Sequence, residues 1–279
     1  MLPTRNQKAL LLKAAQDVIE KYSLKSELAG KPEFEEHFLK GSMVFNILGK
    51  YHTRNCKVRQ KKFHKKPKKP DISEGKQIAR VARKLGLKYV ILYPAIRDDL
   101  TDQGASYLAH YIREIKKLNP GAVIEVFIPD YGKAHLVKAV LDAKPDVICH
   151  NIDTVKRLYP VIKGKTYDYD RSVRTLKMIR QFSKDIPIRA NLMLGFRENW
   201  FEVIGTLRRL RRAGVDIITM GQYYRPSKNH MRVLEYVPEE KFELYEREAY
   251  QLGYKRVIAH QDNFKDYINP GTISSLFGI

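Results

Sequence analysis

Ser73-Glu-Gly-Lys-Gln-Ile-Ala-Arg-Val-Ala-Arg-Lys-Leu-Gly-Leu-Lys-Tyr-Val-Ile-Leu-Tyr93 changes character half-way along. Ser73 to Leu85 has helical patterning, with Ser73 placed to cap the start and Gly86 just past the end. Tyr89–Tyr93 is then apolar on both faces, as a strand buried in a parallel sheet is. The same alternation recurs outward in both directions. Further strands are expected at Val44–Leu48, Val123–Ile128, Asp146–His150, Pro187–Leu194 and Asp216–Met220. Helical patterns fall near Gly104–Leu118, Lys133–Ala143, Asp168–Lys184, Asn199–Ala213 and Glu239–Leu252, with Asp168 as a second cap. Six βα units in series give a parallel sheet, either a partial barrel or an open doubly wound sheet. In both, ligands bind at the carboxyl ends of the strands. No GxGxxG or GxxxxGK[ST] loop follows any strand, which removes the main support for a dinucleotide or P-loop site.

Those carboxyl ends carry the candidate chemistry. Gly49-Lys-Tyr-His-Thr-Arg-Asn-Cys-Lys-Val-Arg59 follows the first strand, and Ile96-Arg-Asp-Asp-Leu100 the second. Glu125 interrupts the third strand; facing the lumen, it would bind a cation or ribose hydroxyls. The fourth strand ends in Cys149-His-Asn-Ile-Asp-Thr154, a polar cluster that seldom serves packing alone. Gly221, beyond the sixth, lets backbone approach a ligand closely, and Arg225 can grip a carboxylate or phosphate in a bidentate fork.

The 279 residues suit one barrel-like domain: a charged helical lead-in over 1–42, the barrel over 43–258 and a tail over 259–279. Lys and Arg exceed Asp and Glu by 21, so an anionic partner is expected, nucleic acid and acidic protein both being open. The run from Lys57 to Lys69 is too densely cationic for a packed element and reads as an exposed loop. No apolar stretch is long enough for a membrane span or a signal peptide, and a cytoplasmic location is the default expectation. Two cysteines, Cys56 and Cys149, exclude a disulfide framework and fall short of the three or four thiolates an iron–sulfur cluster takes.

Taken together, the strand-end phrases resemble lipoyl synthase, a radical S-adenosylmethionine enzyme. The similarity rests on Arg97-Asp-Asp-Leu100, Ile124-Glu-Val-Phe-Ile-Pro-Asp130, Pro145-Asp-Val-Ile-Cys-His-Asn151, Leu192-Met-Leu-Gly195, Gly221-Gln-Tyr223 and Arg225-Pro-Ser-Lys228. They lie in register across roughly residues 32–258. The resemblance implies a partial (βα)6 TIM-like barrel of the radical SAM type. It further implies a [4Fe–4S] cluster that cleaves S-adenosylmethionine, and a second, sacrificial cluster that donates sulfur to an octanoyl chain carried on a lipoyl domain. Acidic lipoyl domains would then be the partner of the basic surface. By the same resemblance Glu125, Asn151, Asp153 and Gln222 bind the cofactor, Arg97 and Arg225 bind substrate, and His52 and Cys56 stand at cluster-ligand positions.

The departures are as specific as the matches. The family's CxxxCxxC reads His52, Cys56 and Arg59, and arginine stays protonated and cannot ligate iron. The cysteine-rich auxiliary segment is missing between Lys31-Pro-Glu33 and Ser42-Met-Val-Phe45, and the family's Lys-Ser-Gly reads Arg189-Ala-Asn191. These changes predict a cluster-deficient relative, impaired or inactive in sulfur insertion. A polyanion-binding protein on the same barrel, or a half-enzyme whose partner supplies the cluster, are the alternatives.

Overall fold

The computed structural model describes residues 41–58 and 63–261. The lead-in before residue 41, Arg59, and the tail beyond 261 lie outside them. Seven strands form one sheet: β1 (Ser42–Ile47), β2 (Tyr89–Pro94), β3 (Val123–Phe127), β4 (Val147–Asp153), β5 (Ile188–Leu194), β6 (Ile217–Gln222) and β7 (Arg256–His260). Their order in the sheet is their order in the chain, and every neighbouring pair is parallel. A doubly wound sheet needs a reversal of strand order, which is absent here, so the partial barrel is the architecture.

The long helices are α1 (Glu74–Leu85), α2 (Ala105–Leu118), α3 (Ala134–Leu141), α5 (Tyr169–Phe182), α6 (Trp200–Arg212) and α7 (Glu239–Gln251), with a short α4 (Tyr159–Ile162) after β4. Each of the six long helices lies within the span expected for it. Their starts divide the cap expectations. Asp168 caps α5 by accepting from Asp170 N and Arg171 N. Ser73 makes no such bond; Asp71 instead accepts from both its backbone N and its Oγ, at 2.8 Å each. Asn199 and Glu202 close a reciprocal capping box on α6.

Alternate strand residues divide the core in two. Val90, Leu92, Ile124, Val126, Ile148, Leu192 and Met220 belong to the large cluster shared with the helices. Tyr89, Ile91, Phe127 and Cys149 form a separate inner cluster with Val44, Tyr93 and Val123. That inner face is the lumen. Strand β7 was not among the expected strands: its five residues carry a charge at one end, and among the described residues it pairs only with β6. Among the described residues no helix is long and apolar enough to cross a membrane.

Candidate functional site

Two lone charges on buried strands meet in the lumen. Glu125 on β3 is fully buried, and Arg189 on β5 grips it in a fork, Nε to Oε1 at 2.9 Å and Nη2 to Oε2 at 2.6 Å. Tyr89 on β2 donates to Glu125 Oε2 at 2.7 Å. The cation expected opposite the mid-strand carboxylate is thus Arg189. Above this pair, Asn191 donates to Cys149 Sγ (3.2 Å) and to Asn151 Oδ1 (2.6 Å), and Asn151 donates to the Tyr93 hydroxyl (3.1 Å). Burial, followed by the Glu125 charge, pushes the Cys149 thiol well up, so it is a neutral packing residue and not a thiolate.

The mouth is built from loops after β1 to β4. In β4 a register shift between Asn151 and Asp153, with Asp153 at φ 68°, turns the strand end out of the ladder. Lys163, just past α4 and nearly fully buried, reaches back to Asp153 Oδ2 and the Asn151 carbonyl and lies over the Tyr159 and Tyr167 rings. On the opposite side Arg54, between His52 and Cys56 in the chain, holds Asp98 bidentately (2.7 and 2.6 Å) and also bonds Asp130. Arg171 takes the other oxygen of Asp130. Burial by itself would raise the Asp130 carboxyl; the two arginines hold it below the ordinary range. Between these pairs lies a narrow cleft, open to solvent on one side and lined by Tyr93, Phe127, Asp130, His150, Asn151 and Tyr167, among others.

His150 sits in its wall. Nδ1 donates to the Ile128 carbonyl at 2.8 Å, and among the described residues buried Nε2 has no hydrogen-bond partner. Burial first, then the charge of Lys163, lowers its pKa to about 4. An unfolded histidine takes its proton near pH 6.5, so the stability tied to neutral His150 is whole above that value. It falls between pH 6.5 and 4 and is flat below. The drop amounts to about 3 kcal/mol for a shift of this size. Urea unfolding at pH 7.5 and pH 4.5 reads it, and His150→Asn should flatten the difference.

The remaining candidates serve the rim. Arg97 is fully buried, with its donors taken by Asp99 (2.8 and 2.7 Å) and the Leu48 carbonyl (2.9 Å), which clamps the β1 and β2 loops together. Gln222 ties the end of β6 to the segment after it, donating to the Glu235 carbonyl and accepting from Val237 N. Gly195 has φ 129°, and a Cβ there would lie 3.0 Å from the Glu235 carbonyl, which favours glycine. Exposed Arg225 bonds carbonyls of its own loop, His230 and Lys228. Gly221 lies buried within β6. Arg54 and Lys163 escaped the sequence reading, since nothing local marks them. Arg189 entered the sequence analysis only as a changed motif; two opposite charges on buried strands were the signal that could have paired it with Glu125.

The residues at the cluster position do not fit a cluster. His52 Nδ1 accepts from Ile96 N at 2.8 Å, so the proton of the neutral ring is on Nε2 and neither nitrogen offers iron a lone pair. Cys56 is half-buried, packs against the main core and faces the Ile162 carbonyl at 3.8 Å. Among the described residues no three His, Cys, Asp or Glu side chains converge as metal ligands.

Residues 54–210 match the radical SAM superfamily. The chain is 42% identical over 233 residues to the lipoyl synthase of Caldanaerobacter subterraneus, covering 83% of this chain and 81% of that one. With the lipoyl synthase of Caldicellulosiruptor saccharolyticus the identity is 40% over 257 residues, 89% of this chain and 90% of the relative. With that of Thermus thermophilus it is 38% over 229 residues, 82% and 71%. Among solved structures, methylornithine synthase PylB superposes with a TM-score of 0.59 at 13% identity, covering 97% of this chain and 77% of that one. Streptococcus suis SuiB bound to S-adenosylmethionine gives 0.60 at 11%, covering 99% and 61%. These two likenesses are of fold alone. The strand-end motifs, the seven-stranded partial barrel and the extent of the sequence match agree: the chain belongs to the radical SAM superfamily and, within it, to the lipoyl synthase family.

Proposed function

We propose that this chain is a cluster-deficient member of the lipoyl synthase family, which keeps the barrel and its mouth but does not carry out sulfur insertion. The radical SAM family uses S-adenosylmethionine and a [4Fe–4S] cluster. Three thiolates hold such a cluster and leave one iron for the cofactor's amino acid group. Here the one observation that carries the reading is the donor set: protonated His52 Nε2, Cys56 turned to a carbonyl, and a sequence position filled by arginine. Without the open iron, S-adenosylmethionine loses both its anchor and the electron that would cleave it. What persists at the mouth suits binding: the Asn151 amide and the Phe127 and Tyr93 rings line the cleft, while Asp153 is neutralised by Lys163. The ligand class is therefore a nucleoside of the S-adenosylmethionine type, held without cleavage, and the partner suggested by the family is an acidic lipoyl domain.

Anaerobic reconstitution of the full chain with iron and sulfide tests this. The expected result is no retained iron, no broad visible iron–sulfur absorbance, and no lipoyl product from an octanoylated lipoyl domain. Stoichiometric cluster iron together with product formation would overturn it.

A further inference from the structure

Two loops that follow strands far apart in the sheet meet across the open side of the barrel. Met231 N donates to the Lys57 carbonyl at 2.9 Å, joining the loop after β6 to the loop after β1. Neither residues 49–58 and 63–70 nor residues 223–234 include a single Asp or Glu. The acids nearby on the rim are already neutralised within the protein: Asp98 by Arg54, Asp130 by Arg54 and Arg171, Asp99 by Arg97, Asp153 by Lys163. Glu235, next in the chain, faces Lys241 at 3.3 Å. Among the described residues, the exposed cations of the two loops, Lys57, Lys65, Lys66, Lys228 and Arg232 among them, face no acidic partner, so these loops present charge of one sign.

Large exposed rings lie in these two loops, Tyr51 and Phe63 in the first and Tyr224 in the second, with Tyr236 two residues beyond it. Tyr51 is 37% exposed, Phe63 52%, Tyr224 56% and Tyr236 68%. Tyr51 packs against His64 at 5.5 Å, and Tyr236 is held in place where Leu234 N and Glu235 N both donate to the Gly195 carbonyl. Aromatic rings left bare cost free energy in water, and a flat apolar partner removes that cost. Rings interleaved with unpaired cations suit a ligand with both phosphates and exposed flat bases, and bases are exposed only when a strand is single.

We infer that this two-loop face binds a single-stranded nucleic acid, with the lysines on its phosphates and the rings stacked on its bases. The site shares no residue with the lining of the cleft inside the barrel, although the loop after β1 borders both. The test is fluorescence anisotropy of the full chain with a labelled oligodeoxythymidylate of about 20 nucleotides, enough for a single-strand site. Binding is expected at low salt. Lys65→Ala/Lys66→Ala/Lys228→Ala should lower the slope of log affinity against log salt by about 2, at about 0.7 per phosphate contact. Tyr224→Ala and Tyr236→Ala should each weaken binding roughly tenfold while leaving that slope unchanged. All are exposed positions, and an unchanged thermal midpoint checks the fold. The inference is overturned if no binding occurs at low salt. It is overturned equally if the tyrosine variants bind as the parent does and polyglutamate of matched charge competes fully, which would assign the face to an acidic protein.

Discussion

Replacing His52 and Arg59 together by cysteine is expected to give a chain that retains about four irons after anaerobic reconstitution, where the parent is expected to retain none. Cys56 is already present, and the two substitutions complete CxxxCxxC in the loop after β1. The physical basis is the ligand count: thiolates bind iron where a guanidinium is never deprotonated and a histidine with an occupied Nδ1 cannot turn to the metal. His52→Cys also gives up the bond to Ile96 N, a loss of about 1 kcal/mol, small beside a cluster's binding energy. Iron analysis and the visible spectrum are the readouts, and Cys56→Ala in the same background should abolish both. If the double variant stays colourless, ligand loss is not what bars the cluster. The Arg54 bridge to Asp98 and Asp130, which holds the same loop against the rim, would then be the barrier.

The second large effect lies in the lumen. Arg189→Met is expected to destabilise the fold by about 3–5 kcal/mol, because it strands the Glu125 carboxylate in a site with no access to water. Only the Tyr89 hydroxyl would remain to it. Glu125→Leu/Arg189→Met removes both charges and should recover most of that loss, since apolar groups of similar volume replace a buried pair at little cost. Urea unfolding midpoints of the single and double variants distinguish the cases. A single variant within about 1 kcal/mol of the parent would mean that water enters the lumen and screens the pair.

The alternation of helical and apolar segments was sufficient to place six strands and six long helices, because each depends on periodicity and end signals within a dozen residues. The same local reading missed β7, whose five residues carry too little pattern to stand out from a loop. Among site residues, His150, Asn151 and Asp153 were legible as a polar cluster ending an apolar strand, and the structure does gather them at one mouth. Their roles were not legible. Asp153 is neutralised by a lysine beyond a short helix, and Gln222 holds a loop that sequence alone leaves unplaced.

The cysteine count, the excess of lysine and arginine, and the strand-end phrases are properties of composition and order, and they determined by themselves both family membership and the shortage of cluster ligands. Which charges neutralise which was decided only by the tertiary structure. Glu125 and Arg189 lie 64 residues apart in the chain, and Arg54 and Asp130 lie 76 apart. Electrostatic pairing depends on distance in space and on the loss of water around the pair, and neither is encoded in any short window of sequence. The curl of the sheet creates both, by bringing β3 against β5 across the lumen and the loop after β1 onto the ends of β2 and β3.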